Sequence, residues 1–170
     1  MWDVSTVTNM RFMFSFASSF NGNLSAWDVS SVTDMHNMLA YAPSFEGGLS
    51  SWDVSSVTDM RFMFQGATSF NGDLSSWDVS SVTDMSYMFL ECTAFTGNLS
   101  SWDVSSVTGM YQMFKDAKSF NIDLCDWGSR IGTLTDVTDM FTDTNCPVTS
   151  DPDLFTSPPG PFCVGCSLSN

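Results

Sequence analysis

The chain has 170 residues, 19 acidic against 5 basic side chains, and a formal net charge of −14. Phosphate binding needs clustered Lys and Arg, so nucleic acid is excluded as a partner, and so is docking on an anionic membrane surface. Apolar runs are only a few residues long, which excludes membrane insertion within this chain, while 43% hydrophobic residues suit a folded chain.

From the first residues onward the sequence repeats. Trp2, Trp27, Trp52, Trp77, Trp102 and Trp127 account for all six Trp residues and fall 25 apart. Met10, Met35, Met60, Met85 and Met110 form a second column, and Met13, Met38, Met63, Met88 and Met113 a third. Phe20, Phe45, Phe70, Phe95 and Phe120 form another, as do Leu24, Leu49, Leu74, Leu99 and Leu124. A unit this short buries its apolar face only by stacking on copies of itself, so each column is expected to become a ladder through a shared core.

The second unit shows the expected elements in order. Trp27 and Val29 alternate with Ala26, Asp28 and Ser30, which predicts a short strand with one buried face. Met35, Met38, Leu39 and Ala42 follow at offsets of three and four, which predicts a short helix with Thr33 and Asp34 at its N-terminus. Asn71-Gly72 and its equivalents then turn the chain back. The expected fold is a repeat solenoid, a leucine-rich-repeat-like right-handed stack of short parallel β-strands and short helices.

The unit W-D-V-S-S-V-T-D-M-x-x-M-F-x-x-A-x-S-F-N-x-D-L-S-S resembles the BspA-type leucine-rich repeat family, also called DUF285. The resemblance is strong from Trp2 to Asp126 and weak over Asp136 to Phe141. It implies a non-enzymatic cell-surface or extracellular protein used for adhesion, with a protein or glycan as partner and no catalytic residues. It does not name a ligand, and the oligomeric state stays open.

Residues 1–126 hold five repeats, 127–146 a degenerate sixth, and 147–170 a Pro-, Ser- and Cys-rich cap or tail. Aligning Val137 with Val107 puts five extra residues into the sixth unit, and beyond Met140 the apolar stripe is expected to fail. No cap precedes the first unit, so the chain is expected to be a fragment or to have lost upstream residues, its signal peptide among them.

Cys92 replaces an Ala of the fourth unit and is expected to be a small buried hydrophobe. Cys125, Cys146, Cys163 and Cys166 read as two disulfides that staple the polar tail, with the pairing open. A zinc site is the competing reading, weakened by the lack of a second C-x-x-C beside Cys163 and Cys166. Asn23-Leu24-Ser25 and Asn98-Leu99-Ser100 are glycosylation sequons in one register.

Function has three places to sit. Asp28, Asp53, Asp78 and Asp103 continue an Asp3 ladder beside a Ser ladder; they brace the units by hydrogen bonds, bridge Ca²⁺, or form an acidic strip for a cationic partner. Arg11, His36, Arg61, Ser86 and Tyr111 share a column that varies between copies, as do Phe16, Tyr41, Gly66, Glu91 and Asp116. Arg11, His36, Tyr41, Arg61 and Tyr111 from these columns, together with Tyr87, are the candidate partner-binding residues, with Tyr41 and Tyr111 as the best anchors. Thr8, Thr33, Thr58, Thr83 and Thr108 form a hydroxyl ladder that fits ice or mineral binding only if it is not used for capping. A structural spacer in a longer surface protein is the remaining alternative. The single His of the chain, in a variable column, gives no basis for an enzyme.

Overall fold

The structure is a computed structural model and describes residues 2–166. Parallel bridges join Asn9 to Asp34, Asp34 to Asp59, Asp59 to Asp84, Asp84 to Gly109, and Gly109 to Asp136. Each 25-residue unit is thus hydrogen-bonded to the next in one register. Around the bridge, alternate N–H groups cross between units: Met35 donates to Asp59 O, Asn37 to Arg61 O, Leu39 to Met63 O and Tyr41 to Gln65 O.

The segment from Met35 to Ala42 is not helical. Met38 N–H donates to Met35 O, Ala40 to Asn37 O and Ala42 to Leu39 O, so it is a run of overlapping tight turns. An α-helix would spend every N–H on its own i−4 carbonyl. These turns use half of them and leave the rest to bind the neighbouring unit. Turns of this kind need a left-handed residue, and Asn37 and Tyr41 have φ of 57° and 54°. The stretch expected as a strand is also turned, with Trp27 N–H on Leu24 O and Val32 N–H on Val29 O. Among the described residues the one helical element is a 3₁₀ helix, η1, at Cys125–Ser129.

Inside, like side chains meet like. Trp52, Trp77 and Trp102 stack at 6.5 and 6.4 Å with nearly parallel planes. Phe45, Phe70, Phe95 and Phe120 stack at 5.9, 5.9 and 6.1 Å. A second file, Phe64, Phe89, Phe114 and Phe141, repeats at 5.5, 5.5 and 5.8 Å. Both Met columns are fully buried from Met35 to Met113, filling space between the rings. The indole N–H groups do not stay orphaned in this apolar interior: Trp52, Trp77, Trp102 and Trp127 donate to Leu24, Leu49, Leu74 and Leu99 carbonyls, each at 3.0 Å.

The sixth unit keeps the register further than the sequence alignment suggests. Met110 N–H donates to Asp136 O and Phe114 N–H to Met140 O, which places Val137 in the Met110 column and Met140 in the Met113 column. Asp139 and Asp143 have φ of 56° and 59°, matching Gln112 and Asp116. The step from Gly109 to Asp136 is 27 residues, so the excess at the bridge is two residues rather than five, and the buried Phe141 continues the Phe file.

Residues 147–166 then fold over this last unit. Cys125 pairs with Cys166 and Cys146 with Cys163, and Cys92 is a free, buried thiol. Phe162 is fully buried and its carbonyl accepts Leu124 N–H, while Asp151 Oδ1 accepts Met140 N–H.

Candidate functional site

The two variable columns lie along the turns, with Arg11, Phe16 and Glu91 exposed, His36, Tyr41, Arg61, Tyr111 and Asp116 half-buried, and Ser86 and Gly66 buried. At the left-handed positions Phe12, Phe62 and Tyr87 have φ of 58°, 58° and 62°, and Phe16 and Tyr41 have 59° and 54°. Bulky residues pay about 1 kcal/mol or more in this region, where Gly or Asn would sit at ease. The cost is offset in part by stacking. Phe62 and Tyr87 stack at 4.4 Å, Phe16 and Tyr41 at 4.9 Å, and Tyr87 meets Tyr111 edge-on at 5.1 Å.

His36 is wedged between Phe12 and Phe62, edge-on at 5.4 and 5.6 Å. Its buried Nδ1 has no hydrogen-bond partner, with Asp59 Oδ1 3.8 Å away. Burial pulls its pKa below the ordinary value, against the pull of Asp59 in the other direction. Arg61 closes on Asp59 with Nη2 to Oδ2 at 2.6 Å and Nε to Oδ1 at 3.0 Å, and Arg11 reaches Asp34 at 3.3 Å. Burial works to raise the Asp59 pKa, but the hydrogen bonds from Arg61 hold it low.

The column that carries Arg11, His36 and Arg61 is thus linked by carboxylates of the bridge column. Those same carboxylates shape the backbone: Asp34, Asp59 and Asp84 Oδ1 accept N–H from His36, Arg61 and Ser86. They were expected to cap helices and instead close side-chain turns. Tyr41 stands in the other row; its hydroxyl accepts from Gln65 Nε2 at 2.7 Å. Tyr111 is met by Gln112 Nε2, which also donates to Asp139 Oδ2. Phe12, Phe62, Gln65 and Gln112 belong to this surface but were not singled out from the sequence. The clue available was that Phe, Asn, Phe, Tyr and Gln alternate in one column.

The exposed Asp ladder is arranged differently. Ser30, Ser55 and Ser80 donate both Oγ–H and N–H to Oδ1 of Asp28, Asp53 and Asp78. Asp103 accepts the N–H of Ser105. The Ser hydroxyl, then the backbone N–H, lowers the pKa of Asp28 and Asp53. Among the described residues no three His, Cys, Asp or Glu side chains gather as a metal cage. The Thr ladder turns its hydroxyls along the stack, with Thr33, Thr58, Thr83 and Thr108 donating to the Thr carbonyl one unit earlier. Asn23 and Asn98 are exposed, each accepting the N–H of its sequon Ser.

Two disulfides suit an oxidising compartment. No helix among the described residues is long and apolar enough to cross a membrane. No curated protein and no solved structure matches the chain. The repeat register, carried by residues 1–81 and again by 44–150, matches the family described as "Mycoplasma protein of unknown function, DUF285", and the chain belongs to that family.

Proposed function

We propose that the chain is a non-enzymatic repeat module of a cell surface or the extracellular space, that its units form a leucine-rich-repeat-like right-handed solenoid, and that the outer turn row binds a protein or glycan partner. The observation that carries this reading is the cluster of aromatic residues held at left-handed positions. Asn37 occupies the same column, so the backbone itself does not require an aromatic there. Aromatic rings kept at a conformational cost on an outer surface are what a recognition surface uses as anchors.

The test is a binding screen against glycans and matrix proteins, run with the chain and with a Phe62→Asn/Tyr87→Asn variant. Asn tolerates the left-handed turn, so this change removes the rings without straining the fold. The reading expects a binder whose affinity falls at least tenfold in the variant at unchanged thermal stability. Equal binding by both proteins, or no binder in either class, overturns it and leaves the spacer reading.

A further inference from the structure

Asn71 clips the third unit to the fourth. Thr96 N–H and Thr96 Oγ–H both donate to Asn71 Oδ1, at 2.9 and 3.1 Å. Asn21 holds the same place in the first unit, where Glu46 N–H donates to its Oδ1 at 3.2 Å. Asn71 is exposed to water.

The core explains the residue that follows each of these Asn side chains. A Cβ on Gly72 would sit 3.0 Å from Phe70 Cε2 and 3.2 Å from Gly47 Cα, and a Cβ on Gly22 would sit 2.8 Å from Phe20 Cε2. Phe20 and Phe70 both stack on Phe45, so the ring file favours Gly above them. A Gly nitrogen has no Cβ beside it to hinder attack, and Gly72 N–H has no acceptor among the described residues. The fold therefore sets an unhindered backbone nitrogen next to a carboxamide, which is a thermolabile group.

We propose that Asn71 is a self-modification site, at which Gly72 N closes on Asn71 Cγ while Thr96 steadies the charge that develops on Oδ1. The Gly72 amide proton passes to water as the N–Cγ bond forms. The Cγ–Nδ2 bond then breaks, and ammonia leaves with a proton taken from water. A second water opens the succinimide at either carbonyl and yields aspartate or isoaspartate. The net change is one water consumed and one ammonia released, with no oxidation. Donors aimed at an oxygen that becomes anionic lower the barrier, and Thr96 supplies two of them. Isoaspartate lengthens the main chain by one carbon and draws the acceptor away from Thr96, so the product loosens the joint between the third and fourth units.

The test follows Asn21 and Asn71 by peptide mass spectrometry during incubation at mildly alkaline pH, with isoaspartate counted by enzymatic methylation. Both sites lie in Ser-Phe-Asn-Gly, so their rates in urea supply the reference ratio. In the folded chain the ratio of Asn71 to Asn21 is expected to exceed that reference by about threefold or more. Thr96→Val keeps the backbone N–H and removes the hydroxyl; it is expected to slow Asn71 and leave Asn21 unchanged, while Thr96→Ser keeps the native rate. Near-UV dichroism checks that the stack stays folded, and Thr96→Ala serves if the Val variant does not fold. A folded-state ratio no higher than the ratio in urea overturns the proposal. So does a folded variant without the Thr96 hydroxyl that converts Asn71 at the native rate.

Discussion

Tyr41 lies flat against Gly66: a Cβ built on Gly66 would sit 2.6 Å from Tyr41 Cδ1. Gly66 has φ of 65°, so the position is restricted twice, by backbone and by the ring above it. Gly66→Ala is expected to lower stability by about 2 kcal/mol, roughly half from the left-handed backbone and half from displacing the ring. Urea unfolding checks this. Adding Tyr41→Ala to Gly66→Ala should recover the steric part, so the double-mutant cycle yields a coupling of about 1 kcal/mol. Strict additivity would show that the ring is not held by Gly66.

The Trp file gives an internal comparison. Trp77 is 4% exposed and donates to Leu49 O, which also accepts Trp52 N–H. Trp77→Phe therefore removes one hydrogen bond without orphaning the carbonyl, at about 1 kcal/mol, and leaves a void costing about 1–2 kcal/mol more. Trp27 is half-buried and its indole N–H has no partner among the described residues. Trp27→Phe is expected to cost less than half as much. Chemical denaturation of both variants measures the gap, and equal losses would mean that the indole hydrogen bonds contribute nothing.

His36 makes stability depend on pH. Its folded pKa lies below the ordinary 6.5 because burial disfavours the charged ring. The unfolded chain then binds the proton more readily, so the contribution of His36 is complete above about pH 6.5 and is lost as pH falls toward the folded value. Arg11 and Arg61 push in the same direction, while Asp59 and Asp34 oppose it. Asp59 has a lowered pKa and destabilises only as pH falls below 3.8, so the two effects occupy separate windows. Melting temperature should decline between pH 7 and 5 in the native chain and stay flat in His36→Gln over that window. A native profile as flat as that of His36→Gln would refute the assignment.

The columns and the Asp–Ser pairing could be read from the sequence because each depends on residues 25 apart or two apart, with no knowledge of the path between. The path itself was not legible. Met35, Met38, Leu39 and Ala42 have helical spacing, but overlapping turns also place them inward, and only the hydrogen-bond partner distinguishes the two. Propensity scales do not flag this case, since Phe12, Phe62 and Tyr87 are poor left-handed residues whose rings contact the next unit, Phe62 stacked on Tyr87, Phe12 edge-on to His36 and Tyr87 edge-on to Tyr111. The sixth unit was misaligned for a related reason. Val137 resembles the Val of the motif but takes a Met position, and Phe114 stacking on Phe141 fixes the register instead. For the surface, Arg11, His36 and Arg61 were found through variation between copies, whereas the neighbouring column Phe12, Asn37, Phe62, Tyr87 and Gln112 was entered only at Tyr87, although it varies as much.

The cap should come apart before the stack does. Cys125–Cys166 and Cys146–Cys163 close loops with sequence separations of 41 and 17. On the chain-entropy account each cross-link restrains the unfolded state by about 3–4 kcal/mol. The segment they fasten is polar, with Phe162 and Leu154 as its main buried anchors, so little else keeps it in place. The middle units rest on three files of buried rings and on neighbours from both sides. Phe162→Ala with both disulfides intact is expected to cost about 3 kcal/mol locally, raising amide exchange at Leu124 and Val148 while Phe64 and Phe89 stay protected. Hydrogen exchange read residue by residue decides it: a uniform rise along the chain would mean that cap and stack unfold as one cooperative body.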